Sequence, residues 1–192
     1  PIWQPIAIEQ QTWRALVKNR NLVIEIVPGV GLHPLRYAQQ HPQDFIIAIE
    51  KTTEKFNKFA KRRINHPQLD NIYPVHANAI EWITRNISAG EVDAYFLLYP
   101  NPYPKAAQKN KRLMHMPFMQ YLIKSMRPAA TLTMATNMQF FYQEAKQQWS
   151  QVAEFALVTD RILSAANQVP RTHFERKYLA SGQQCYELIV KS

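Results

Sequence analysis

Ala94-Tyr95-Phe96-Leu97-Leu98-Tyr99-Pro100-Asn101-Pro102-Tyr103-Pro104-Lys105 changes character in its middle. The first five residues are an apolar run that reads as a buried strand. The prolines that follow at alternate positions cannot continue it, because each lacks a backbone donor. The segment therefore predicts a core strand ending in a stiff loop. In open α/β sheets ligands bind at the carboxyl ends of strands, so a rigid loop carrying an amide, aromatics and cations there is a candidate active-site wall.

On the N-terminal side of that strand, apolar runs alternate with helical stretches. Helices are expected over 6–18, 32–40, 53–64 and 79–86, and strands over 22–27, 45–49, 71–76 and 92–98. On the C-terminal side, helices are expected over 117–126 and 139–149 and strands over 130–135, 152–158 and 185–190, with 160–183 as an irregular loop. The alternation predicts an α/β fold with a mainly parallel, seven-stranded sheet and helices on both faces. With no linker, repeat or low-complexity segment, residues 1–192 are expected to form one domain.

The first strand runs into Glu25-Ile26-Val27-Pro28-Gly29-Val30-Gly31. Only four glycines occur in the chain, so two in one turn are informative: glycine permits a sharp turn and close approach of a ligand. Glu50 ends the second strand, where a carboxylate accepts both ribose hydroxyls of an adenosyl ligand. Nicotinamide and S-adenosylmethionine binders share this pairing. The third glycine of the dinucleotide fingerprint is missing, its place taken by Pro34. With no pyrophosphate cradle, S-adenosylmethionine is the better fit. Glu25 is a candidate for the methionine end of that cofactor; the alternative is a strand acid neutralised by a basic neighbour.

Hydrophobic residues make up 46% of the chain, its formal net charge is +9, and it has one cysteine, Cys185. The first value predicts a globular protein. The charge, clustered at Lys55–Arg63, Lys105–Arg112 and Arg171–Lys177, favours a polyanionic partner, nucleic acid being the commonest. A lone cysteine excludes an internal disulfide framework and a cysteine zinc site, which fits a cytoplasmic protein. No apolar run is long enough to span a bilayer, and no secretory signal is read. The six histidines lack metal-ligand spacing. No membrane association and no metal are expected.

Glu-Ile-x-x-Gly-x-Gly, Ile-Glu, Tyr-Pro-Asn-Pro-Tyr-Pro-Lys, Ala-Thr-Asn and Thr-His-Phe-Glu-Arg occur here in that order. This order resembles the bacterial tRNA (guanine-N7-)-methyltransferases, which carry Phe-Pro-Asp-Pro-Trp-Pro-Lys in the loop and Thr-Lys-Phe-Glu-Arg near the C-terminus. The resemblance runs from about Leu22 to Val190. It implies the class I S-adenosylmethionine-dependent methyltransferase (Rossmann-like) fold and methyl transfer to guanine N7 of tRNA. The expected state is a monomer or weak homodimer. The resemblance further implies cofactor binding by Glu25, Gly29, Gly31, Glu50, Asn78 and Asn101. Catalysis falls to Asn101, and substrate binding to Lys105, Asn137, Thr172, His173, Phe174 and Glu175. The family usually has an N-terminal arm ahead of the first strand; here 21 residues precede Leu22.

Three positions depart from the pattern in one direction. Asn101, Asn78 and Asn137 stand where the family has acids, beside the base, beside the adenine and in the Ala-Thr-Asp motif. Guanine's N1 and exocyclic amine are donors, which a carboxylate accepts and an amide only half matches. The mismatch at Asn101 is worth about 2–4 kcal/mol. Val27 and Pro28 also stand where the family often has glycine and a bulky residue.

Two readings of the retained and altered positions stay open: a methyltransferase of weakened or altered activity, or a non-catalytic RNA-binding protein on the same fold. A third, methylation of an exocyclic amine, follows from the likeness of Asn101-Pro102-Tyr103 to an Asn-Pro-Pro-Tyr loop. Tyr99 and Tyr103 are candidates to stack on a flipped base or to pack against the loop prolines. Glu175 is alternatively an exposed capping acid. His115, close to the loop, is a phosphate contact or an ordinary loop histidine.

Overall fold

Leu22–Ile26 and Phe45–Ile49 are apolar at almost every position, and parallel strands buried on both faces demand that composition. The structure, a computed structural model, describes residues 13–192. The strands are β1 (Asn21–Ile26), β2 (Asp44–Glu50), β3 (Ile72–His76), β4 (Val92–Leu98), β5 (Met126–Thr136), β6 (Ala156–Leu163) and β7 (Cys185–Lys191). The helices are α1 (Leu32–Gln40), α2 (Thr53–Ile64), α3 (Ala79–Asn86), α4 (Phe118–Ser125), α5 (Gln139–Trp149) and α6 (His173–Ala180). The strands form a seven-stranded sheet of order β3-β2-β1-β4-β5-β7-β6. β1–β2, β2–β3 and β4–β5 pair in parallel, while β7 runs antiparallel to both β5 and β6.

The chain divides into two compact units, one through Ser88 and one from Ala89. In the first, β1 and β2 are buried along nearly their whole length, and α1, with Pro34, Leu35 and Ala38 buried, packs against β2 and β3. Burying the Leu35 side chain contributes about 1.5–3 kcal/mol. The amide group of Asn71 reaches the carbonyls of Ala38, His41 and Asp44, tying the end of α1 to the starts of β2 and β3. Residues 13–17 are helical; the rest of the helix expected over 6–18 lies largely outside the described residues.

In the second unit, α4 packs against β5 and α5 against β7 and β5, with Phe118, Met119 and Leu122 of α4 and Phe141 and Ala145 of α5 buried. Two expectations fail here. The sixth strand lies at 156–163, not 152–158, and 160–183 is not irregular, since it holds the end of β6 and all of α6. β6 is an edge strand whose side chains are nearly all exposed, so its ladder to β7 is set by the backbone and no apolar run marks it. α6 is announced by Thr172 at its N-cap, whose Oγ1 accepts the Glu175 amide at 3.0 Å, the first half of a capping box.

Candidate active site

In the first unit the residues of interest gather where β1 and β2 end. Glu25 is in register with Ala48, and Glu50 lies two residues beyond it, so both carboxylates project from the same sheet face. Both are buried. Glu50 Oε2 accepts the Gly29 amide at 3.0 Å and its Oε1 accepts the Thr52 amide at 2.8 Å. Each oxygen keeps a lone pair. Gly29 has φ +63°, and a Cβ there would meet no atom within 4 Å, so open space lies beside the amide that Glu50 holds. A buried carboxylate with spare acceptor capacity beside open, close-approach backbone fits a ribose diol. Gly31 is glycine for a different reason. At φ +79° it caps α1, and a Cβ would stand 2.0 Å from the buried ring of Phe59.

Glu25 is engaged already. Its Oε2 lies 2.8 Å from Nδ1 of His33, on the first turn of α1. This is the basic neighbour weighed as an alternative for Glu25, and nothing in the sequence pattern had singled out His33. Val27 adopts φ +56°, which costs a β-branched residue backbone strain. It occupies the place where the family often has glycine. Asn78 caps α3, accepting the Ile80 amide at 3.0 Å. Aspartate and asparagine cap equally well, so the change from the family's acid leaves this local role intact. Arg62, from the basic α2, donates to the Val30 carbonyl at 3.2 Å. Arg63 donates to the His66 and Leu69 carbonyls. Part of the first basic cluster is thereby spent within the unit.

In the second unit, residues 99–104 leave β4 as the expected irregular loop. Asn101 is exposed, and its Oδ1 accepts the Tyr103 amide at 3.2 Å. A backbone N–H only donates, so this bond fixes the amide orientation and uses one of the two lone pairs of the carbonyl oxygen. Lys105 is exposed at the base of the loop, before a 3₁₀ turn at Ala106–Lys111.

Arg112, grouped in the sequence with RNA-facing cations, is buried instead. Its Nε and Nη2 donate to the Tyr103 carbonyl at 3.1 and 2.9 Å, and its Nη1 pairs with Glu144 at 2.5 Å. His115 Nε2 lies 2.8 Å from the other Glu144 oxygen. Burial alone would raise the Glu144 carboxyl, but its bonds to His115 and Arg112 outweigh that and hold it below the ordinary value.

Tyr99 is half-buried. Its ring packs against Leu163, Leu179 and Cys185, and its hydroxyl donates to Glu175 Oε1 at 2.9 Å. Glu175 is fully buried, not an exposed cap. Arg171 donates to it from the backbone amide and Nη2, each at 2.6 Å, and from Nε at 3.1 Å. Burial would raise the Glu175 carboxyl; the Arg171 hydrogen bonds and charge override it and lower it. Arg171 also bonds Glu187, which Arg161 holds at 2.7 Å from its other side. Thr172 is buried as the cap of α6, while His173 and Phe174 are exposed on that helix, His173 against Arg176 and Phe174 stacked on Tyr178. Asn137 donates to Gln183 Oε1 at 3.1 Å.

Among the described residues no group of histidines, cysteines and carboxylates is placed to hold a metal ion, and no helix is long and apolar enough to cross a membrane.

Comparison with known proteins places these features. Solved structures share the fold at low identity. An antibiotic-related methyltransferase superposes with a TM-score of 0.71 at 14% identity, covering 98% of this chain and 96% of that one. The 16S rRNA methyltransferase KamB superposes with 0.68 at 18%, covering 100% and 95%. The fold is thus that of the class I S-adenosylmethionine-dependent methyltransferases. Among curated proteins, a tRNA (guanine-N(7)-)-methyltransferase of Alkaliphilus oremlandii is 26% identical over 95% of this chain and 87% of its own length. One from Burkholderia mallei is 26% identical over 97% and 71%. The model of the family described as "Putative methyltransferase" matches residues 19–188. The chain belongs to that methyltransferase family, together with relatives named tRNA (guanine-N(7)-)-methyltransferase.

Proposed function

We propose that the chain is an S-adenosylmethionine-dependent tRNA methyltransferase acting on guanine N7. The observation that carries this reading is Glu50, buried at the end of β2 with one bond to each oxygen and open space beside Gly29. Bound S-adenosylmethionine supplies an electrophilic methyl group on its sulfonium. Glu50 accepts the ribose hydroxyls and fixes the nucleoside end. Glu25, on the same sheet face, offers the oxygen that His33 does not use to the methionine end. Asn78 borders the adenine.

Guanine N7 carries an in-plane lone pair, so no base is required, and orientation alone is worth up to about 7–11 kcal/mol. Asn101 addresses the donor edge of the base with the acceptor capacity its carbonyl retains. Lys105 attracts the RNA backbone. Asn137, Thr172, His173, Phe174 and Glu175 form or support the RNA side, with His173 and Phe174 the exposed members. A monomer or weak homodimer in the cytoplasm belongs to the same proposal.

One observation favours the second reading, a non-catalytic RNA-binding protein. The Asn101 carbonyl already accepts the Tyr103 amide, and its remaining polar group is a donor where guanine presents donors. Calorimetry with S-adenosylmethionine, beside filter binding of unmodified tRNA, separates the two. Binding of both supports the enzyme. tRNA binding without cofactor binding supports the second reading, and binding of neither removes both.

A further inference from the structure

The proline loop begins and ends on residues in a costly backbone conformation: Tyr99 at φ +54° and Tyr103 at φ +45°. Non-glycine residues hold the left-handed region only when surrounding contacts over-determine it. Here each end has its own buried anchor. At the entry, the Tyr99 hydroxyl is bonded to Glu175, itself held by three donors of Arg171. At the exit, the Tyr103 carbonyl takes two bonds from Arg112, whose third nitrogen is locked on Glu144 and whose guanidinium lies 5.0 Å over the Phe140 ring. Between the anchors, the Asn101 side chain closes a local turn onto the Tyr103 amide. Moving either tyrosine therefore moves Asn101. The family loop quoted above begins with phenylalanine, which has no hydroxyl to make the entry contact.

On the reading that this loop holds the nucleobase, we infer that Arg112 and Tyr99 are positioning residues that pre-set the loop, and that Arg112 is not an RNA-contacting cation. Glu175 acts in the same way. Both of its oxygens are consumed by Arg171 and Tyr99, so it orders the loop and does not touch the substrate. The two roles of Arg112 differ in what lysine can replace. Lysine keeps the charge but lacks the planar fork that serves Tyr103 and Glu144 together.

The test uses the full chain and the variants Tyr99→Phe and Arg112→Lys. Amide hydrogen exchange is read first, without cofactor or RNA, so it stands apart from whether the protein methylates tRNA. The hydrogen-bonded amides of the loop are those of Tyr99, on the Ala135 carbonyl, and Tyr103, on Asn101 Oδ1. Exchange there is expected to speed up by about tenfold or more in each variant, with protection of β1 and β2 unchanged. Where methyl transfer is measurable, kcat is expected to fall in both variants while cofactor Kd and the salt dependence of tRNA binding stay at parent values.

Two results overturn the inference. One is loop exchange at the parent rate in both variants. The other is an Arg112→Gln variant whose tRNA-binding salt slope drops by about one unit, as loss of a phosphate contact requires, while Arg112→Lys keeps the parent slope and kcat. Failure of the methyltransferase reading alone shows as parent-level inactivity, with the exchange differences intact.

Discussion

Glu50 Oε2 accepts the backbone amide of Gly29 at 3.0 Å, which ties the end of β2 to the turn that follows β1. One carboxylate thus shapes the glycine turn and offers acceptors to a ligand. Glu50→Gln keeps the size but puts a donor where one of the two amides must be accepted. A misplaced buried donor costs about 1–3 kcal/mol. We expect a lower urea midpoint and S-adenosylmethionine affinity reduced about tenfold or more by calorimetry. A variant with parent affinity removes Glu50 from the cofactor site.

The two turn glycines separate conformational from steric need. Gly31→Ala places a methyl group 2.0 Å from Phe59 in a left-handed conformation, and overpacking plus backbone strain should cost about 3 kcal/mol. Gly29→Ala meets no atom within 4 Å and should cost only about 1 kcal/mol. Its cofactor affinity should nevertheless fall, because the methyl group occupies the space beside the Glu50-bound amide. Urea unfolding and calorimetry read the two effects separately, and equal stability losses in the two variants would refute the steric account of Gly31.

Val27 is the reverse case. Its φ of +56° costs a β-branched residue about 1–3 kcal/mol, against a flexibility penalty for glycine of about 0.5–1 kcal/mol. Val27→Gly should therefore stabilise the protein by about 1 kcal/mol, read as a higher urea midpoint at unchanged m-value. A lower midpoint would show that the side chain's packing outweighs the strain.

Glu144 and Glu175 are both held below the ordinary glutamate value of 4.5. A carboxylate depressed in the folded state binds fewer protons there than in the unfolded chain. The stability it adds is complete above pH 4.5 and is lost as pH falls through the folded value. The urea midpoint should therefore be nearly flat from pH 7 to 5.5 as far as these two groups are concerned, then decline on acidification. Glu144→Gln should make that acid decline shallower. A slope unchanged by the substitution would show that the Arg112 and His115 contacts do not persist in solution.

The parallel half was legible because its strands are continuous apolar runs broken by Gly and Pro; α2, α3 and β4 fall where the pattern puts them. β6 was misplaced because an exposed edge strand has no apolar alternation to reveal it. The sequence marks α6 only through Thr172 and Glu175, which stand at capping-box spacing. The site was legible as a set of residue types and much less as a set of roles. Arg112 reads as a surface cation because its partner Glu144 lies 32 residues away. Only the fold brings such charges inside. His33 escaped notice for a related reason: its pairing with Glu25 depends on the turn bringing α1 back over β1.

The most direct test of the proposed activity is label transfer from methyl-labelled S-adenosylmethionine to unmodified tRNA, with the nucleosides resolved by mass spectrometry, for the parent and Asn101→Asp. The carboxylate keeps the acceptor for Tyr103 and replaces the amide donor with a second acceptor for guanine. The account predicts labelled 7-methylguanosine from both, with a rate for Asn101→Asp higher by roughly 30- to 1000-fold, the rate equivalent of about 2–4 kcal/mol. An active parent beside a dead Asn101→Asp variant, or a label on any other nucleoside, would contradict it.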